Sequence, residues 1–223
     1  MPSISLPCAE EWNLISDRDV LSGFIVLEGL DGAGTTTQLR RISSRLESSG
    51  RACHSTAEPT DGPIGRLIRS ALRNEIALDP CTLALLFAAD RNEHLFAGDA
   101  AIVRLVEKGI VVLCDRYVFS SLAYQSIGCG YDFVYSLNHR FPLPEHLFFL
   151  DVPPEECQRR LAGRPGIELF ERIELQQEIL SYYRRGMDAI AGSGTRITLV
   201  DGTLPIKEVE EKIWSVISGA PIQ

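Results

Sequence analysis

Positive charge is in short supply. The 223 residues carry 22 Lys and Arg against 30 Asp and Glu, a formal net charge of -8. An acidic chain repels the phosphates of a duplex, so nucleic acid is not an expected partner. Paired metal-binding cysteines are missing too. The six cysteines (Cys8, Cys53, Cys81, Cys114, Cys129 and Cys157) form no CxxC and no zinc-spaced set with histidine. They read as reduced thiols of a cytosolic protein. No apolar run is long enough to cross a bilayer, and the opening MPSISLPCAEEW has neither the basic nor the apolar region of a signal peptide. Membrane association and export are therefore not expected. There is no internal repeat or low-complexity tract, and His54, His94, His139 and His146 form no triad or metal spacing.

What is present is a chain that buries a core: 45% hydrophobic and 23% charged. Residues 1–22 read as an N-terminal extension and residues 23–223 as one domain. Short apolar runs at Phe24–Glu28, Ala52–Thr56, Ile110–Cys114, His146–Leu150 and Ile197–Val200 predict five strands. Longer stretches with three- and four-residue apolar spacing separate them. These include the stretch after Thr35, Leu83–Phe96, Ala100–Lys108, Ile173–Ile190 and Ile206–Ile217. Strands alternating with amphipathic helices imply βαβ units, hence a five-stranded parallel sheet between two helical layers. AGRPGIELFE, with two glycines and a proline between helices, marks residues 162–172 as a short lid.

Gly29-Leu30-Asp31-Gly32-Ala33-Gly34-Thr35-Thr36 joins the first strand to the first helix. That is where a phosphate-binding loop must sit, so the fold class expected is an α/β P-loop NTPase. The glycines let successive backbone N–H groups turn inward, and the helix N-terminus adds its unpaired donors. Residues 29–36 and Thr37 are therefore candidates for holding ATP, with the Thr36 hydroxyl on Mg²⁺. One residue departs from the pattern. Thr35 stands where such loops carry the lysine that reaches the β- and γ-phosphates. Losing one charge stabiliser costs on the order of 3 kcal/mol in the barrier. A well-placed arginine offsets roughly that much.

With the loop in place, FIVLEGLDGAGTTTQ, EPTDGPIGRLIR, LLFAADRNEH, DRYVFSSLAYQ and LFFLDVPPEECQRRLAGR, in that order, resemble bacterial thymidylate kinases. The resemblance runs from about Phe24 to about Ile217. It implies transfer of a phosphoryl group from ATP to dTMP, with Mg²⁺, by a homodimer. It also implies roles for particular residues. Asp115 and Arg116 act at the phosphates, with Asp115 also near Mg²⁺. Phe87 stacks on the pyrimidine, and Arg91, four residues on and on the same helical face, reaches base or phosphate. Asp31, Ser120, Ser121 and Gln125 meet the acceptor, and Tyr124 packs under the sugar where a 2′-hydroxyl has no room. Arg160 and Arg164, at and inside the lid, close on the donor phosphates, and Arg164 is the candidate to compensate for Thr35.

Read as residues alone, Phe87 also suits a core position, Arg91 a surface ion pair and Asp115 a helix cap. Two other functions fit the same motifs. One is another deoxynucleotide or nucleoside kinase on this fold; the other is a nucleotide-binding homologue impaired by Thr35.

Overall fold

The computed structural model describes residues 19–162 and 173–219. Five strands alternate with the helices: β1 (Val20–Gly29), β2 (Cys53–Ala57), β3 (Val111–Asp115), β4 (Leu143–Asp151) and β5 (Arg196–Asp201). All pair in parallel, in the order β2-β3-β1-β4-β5. The helices are α1 (Thr35–Ser48), α2 (Pro63–Leu72), α3 (Pro80–Phe96), α4 (Ile102–Glu107), α5 (Val118–Tyr124), α6 (Ser126–Cys129), α7 (Tyr131–Asn138), α8 (Pro154–Leu161), α9 (Ile173–Ala189) and α10 (Ile206–Ser218).

The strand order follows from burial. β1 and β3 read as unbroken apolar runs, and both lie inside the sheet; Phe24, Val26, Leu27, Val112, Leu113 and Cys114 are fully inaccessible. β5 lies at the edge, leaving Leu199 63% exposed. One continuous core joins the sheet to α1, α5, α9 and α10. A small second core, centred on Ile68, Leu83 and Phe87, joins α2 to α3.

The five predicted strands all form, each at or near its expected place. β1 starts at Val20, within the segment expected as an extension, because Val20 and Leu21 pair with Leu143 and Pro144 beyond a register break before Ile25. Helices α6 and α7 were not anticipated; at four and eight residues, around Gly128 and Gly130, they are too short for apolar periodicity to register.

Candidate active site

The carboxyl ends of β1, β2 and β3 meet at one cavity of about 540 Å³, a size suited to a small ligand. In an open parallel sheet this is the edge where ligands bind. β1 runs directly into the glycine loop. Gly32 (φ 89°) and Gly34 (φ 100°) take left-handed conformations that other residues avoid. A Cβ on Gly32 would also lie 2.6 Å from the Cys157 carbonyl, so α8 seats against bare backbone. Gly34 offers no side chain to cap α1, which leaves the helix's first N–H groups to an anion. Leu30 and Ala33 are buried, and the Ala33 N–H closes the turn on the Leu30 carbonyl at 2.9 Å. Thr35 is also buried, 6% exposed, whereas Thr36 and Thr37 on the next turn are exposed.

β3 delivers the opposing wall. Arg116, just past its end, has φ 72°, and its backbone N–H donates to the Leu27 carbonyl at 3.0 Å. This left-handed turn directs the guanidinium over the loop, where it meets Asp31 Oδ1 at 2.5 Å and lies 5.1 Å from the Tyr124 ring centre. Nη1 reaches Ser120 Oγ at 3.2 Å and Tyr183 Oη at 3.3 Å. Tyr124 Oη accepts from the Asp31 backbone N–H at 3.1 Å. Burial raises the Tyr124 phenol above its ordinary pKa, with Arg116 opposing, so it stays neutral.

Asp115 and Thr36 touch across the site, the Thr36 hydroxyl donating to Asp115 Oδ2. The other carboxylate oxygen, Oδ1, is buried with no hydrogen-bond partner among the described residues. An unpaired buried carboxylate oxygen next to a hydroxyl is a hard-oxygen donor set of the kind Mg²⁺ takes when phosphates and water supply its other ligands. The residues present therefore fit this metal.

Phe87 and Arg91 line the same cavity from α3. Phe87, 9% exposed, belongs to the small core and also lines the cavity, so its core position is compatible with a place beside a ligand. Arg91 is no surface ion pair. It is 1% exposed, with Nη2 2.7 Å from Glu58 Oε2, Nε 2.9 Å from the same oxygen, and Nη2 3.0 Å from Ser121 Oγ. Nη1 donates to Asn138 Oδ1. Ser121 and Gln125 are buried at the cavity wall, and Gln125 Oε1 has no hydrogen-bond partner among the described residues.

The lid arginines are placed differently. Arg160 does not line the cavity; its guanidinium binds Glu156 Oε1 (2.8 Å), the Gly202 carbonyl (2.9 Å) and the Ala33 carbonyl at the back of the glycine loop (3.3 Å). Arg164 lies outside the described residues, as does the expected lid apart from Ala162.

Four site residues escaped the sequence reading. Glu58, at the end of β2, holds Arg91; its signal was a carboxylate inside EPTDGP. Asp90 fixes the turn after β2 by accepting from the Thr60 backbone N–H and hydroxyl, both at 2.7 Å. Glu28 is a charged residue closing an apolar strand. It is fully buried, and desolvation pushes its carboxyl up to about 7 against the opposing Arg116 charge and the bonds of Ser120, Tyr117 and Tyr183. Tyr183, deep in α9, left no local signal.

The family model for "Thymidylate kinase" matches residues 27–213. The chain belongs to the thymidylate kinase family. Among relatives of the family, a "Putative thymidylate kinase" from Treponema pallidum is 39% identical over 203 residues, covering 87% of this chain and 94% of that protein. A "Thymidylate kinase" from Thermomicrobium roseum is 38% identical over 208 residues, covering 89% and 95%. A "Probable thymidylate kinase" from Pyrococcus abyssi is 36% identical over 201 residues, covering 87% and 95%. The sheet and its flanking helices are those of an α/β P-loop kinase. No helix among the described residues is long and apolar enough to cross a membrane.

Proposed function

We propose that the protein phosphorylates dTMP to dTDP with ATP as donor and Mg²⁺ as cofactor. One observation carries this reading: the glycine loop and the Asp115–Arg116 pair open onto a single cavity, so a phosphate on the loop and a monophosphate acceptor can meet in line. The acceptor lies against Phe87, with Gln125 and Ser121 at the base edge and Tyr124 under the sugar. The unpartnered Gln125 Oε1 supports base recognition. Arg116 offers a planar fork to phosphate oxygens, and Asp31 holds that fork at the loop.

Thr36 and Asp115 would hold Mg²⁺, which when bound would neutralise charge on the donor phosphates. No covalent intermediate is required; positioning and charge neutralisation supply the rate. Leu67 and Leu85, 42% and 50% exposed on the packed pair α2 and α3, support a helical face for a homodimer.

A coupled ADP-release assay with dTMP, dUMP, UMP and thymidine tests the reading. dTMP is expected to be turned over fastest. Faster turnover of thymidine or UMP, or no ADP release with any of the four, overturns it.

A further inference from the structure

The buried carboxylate behind the glycine loop accepts four hydrogen bonds. Glu28 Oε1 accepts from the backbone N–H groups of Tyr117 (2.8 Å) and Ser120 (3.1 Å). These sit at the start of α5, where the Ser120 N–H is shared with the Tyr117 carbonyl at 3.1 Å, so a side chain from β1 helps to cap this helix. Oε2 accepts from the Ser120 hydroxyl (2.6 Å) and the Tyr183 hydroxyl (3.0 Å). Those two hydroxyls are the groups that Arg116 Nη1 reaches, at 3.2 and 3.3 Å. A hydroxyl carries one proton. With that proton spent on Glu28, each oxygen is left to accept, and an arginine can only donate. Ser120 Oγ and Tyr183 Oη also lie 2.8 Å apart, and Tyr183 Oη is 3.2 Å from the Gly29 carbonyl, so the charge on Glu28 selects which of several acceptors each hydroxyl proton takes.

We propose that Glu28 is a positioning residue for the phosphoryl acceptor: through Ser120 and Tyr183 it sets the orientation in which Arg116 meets the acceptor phosphate. This rests on the reading that Arg116 contacts that phosphate. Glu28 itself is sealed from the cavity and touches no substrate.

The isosteric variant Glu28→Gln exposes the logic. An amide has one accepting and one donating end, whereas all four groups facing Glu28 donate in the bonds described. With the amide nitrogen toward Ser120 and Tyr183, their protons turn away, Tyr183's to the Gly29 carbonyl and Ser120's to Tyr183, and the oxygens that accept from Arg116 must accept from the amide as well. With the amide nitrogen toward α5, the Tyr117 N–H loses the acceptor that Glu28 gave it and the Ser120 N–H keeps only the Tyr117 carbonyl. Either way the relay breaks while shape and volume are kept.

The test is steady-state kinetics at pH 8 on Glu28→Gln, Arg116→Ala and the double variant, with thermal melts to establish folding. For Glu28→Gln, kcat/KM for dTMP is expected to fall at least about tenfold while KM for ATP moves less than about twofold. In the Arg116→Ala background the same change is expected to leave dTMP kinetics within about twofold, because the relay ends at Arg116. Unchanged dTMP kinetics in Glu28→Gln, an equal loss toward ATP, or a further about tenfold loss on top of Arg116→Ala overturns the proposal. Arg116→Ala that leaves dTMP turnover intact instead overturns the placement of Arg116 at the phosphate. If Glu28→Gln does not fold, Tyr183→Phe combined with Ser120→Ala cuts the relay and leaves the carboxylate in place. The same selective loss toward dTMP is then expected, and its absence counts against the proposal.

Discussion

Asp31, at the tip of the glycine loop, lies 2.5 Å from the guanidinium of Arg116, the first residue past β3. The two strands that neighbour each other at the centre of the sheet thus exchange charges at their ends. Asp31→Asn keeps the shape and removes the charge that holds the fork. It is expected to lower kcat/KM for dTMP by about ten- to a hundredfold, the range for losing one oriented charged contact. Parallel determination of KM for ATP checks this; an equal change there means that the loop itself was disturbed.

Asp115→Asn leaves a hydrogen-bond partner for Thr36 and removes the anionic oxygen that has none. The concentration of Mg²⁺ giving half-maximal rate is expected to rise by about tenfold or more. A Mg²⁺ titration at saturating ATP and dTMP reads the shift. An unchanged midpoint removes Asp115 from the metal site.

Phe87 serves the small core and the cavity at once. Phe87→Ala is expected to lose about 3 kcal/mol of stability by chemical denaturation. Phe87→Leu keeps most of the apolar volume but not the flat ring. It is expected to cost under about 1.5 kcal/mol in stability while raising KM for dTMP severalfold. A Leu variant with normal KM rules out stacking.

Thr35 supplies no charge to the donor phosphates. Position 35 is nearly buried, so Thr35→Lys is expected to change kcat by less than about tenfold. A gain of about a hundredfold, the worth of one added transition-state contact, would falsify this expectation and mark the natural chain as impaired.

Glu28 gives a stability signature distinct from its kinetic one. Burial raises its pKa from 4.5 to about 7 in the folded protein, so folding favours its neutral form. Its contribution to stability is therefore complete below about pH 4.5, declines as pH rises towards 7 and is flat above. The integrated loss is about 3 kcal/mol. Glu28→Gln does not titrate. The stability of the natural chain relative to this variant is expected to worsen by that amount between pH 4.5 and 8. Urea unfolding of both proteins at the two pH values measures it, and a pH-independent difference refutes it.

The sequence was most informative where chemistry and local pattern coincide. Gly32 and Gly34 between an apolar run and a helix announced the loop, and Asp115-Arg116 after IVVLC announced the opposing wall; both meet at the cavity. Glu58 and Glu28 were harder to read because their work depends on distant partners. Arg91 is 33 residues from Glu58, and Tyr183 is 155 from Glu28. No local periodicity encodes such pairings. Arg160 shows the opposite case: its place after β4 in sequence was clear, but only packing shows that its guanidinium rests on the loop's backbone.

Among the described residues, the cavity is lined by those between Asp31 and Gln125. β4, β5 and α10 add core and edge, and nothing to that wall. The later part of the chain reaches that wall from behind, through Asn138 and Tyr183, which bind Arg91 and Arg116. Away from those two residues, substitutions in β4, β5 and α10 can trim or strengthen the scaffold without touching that wall.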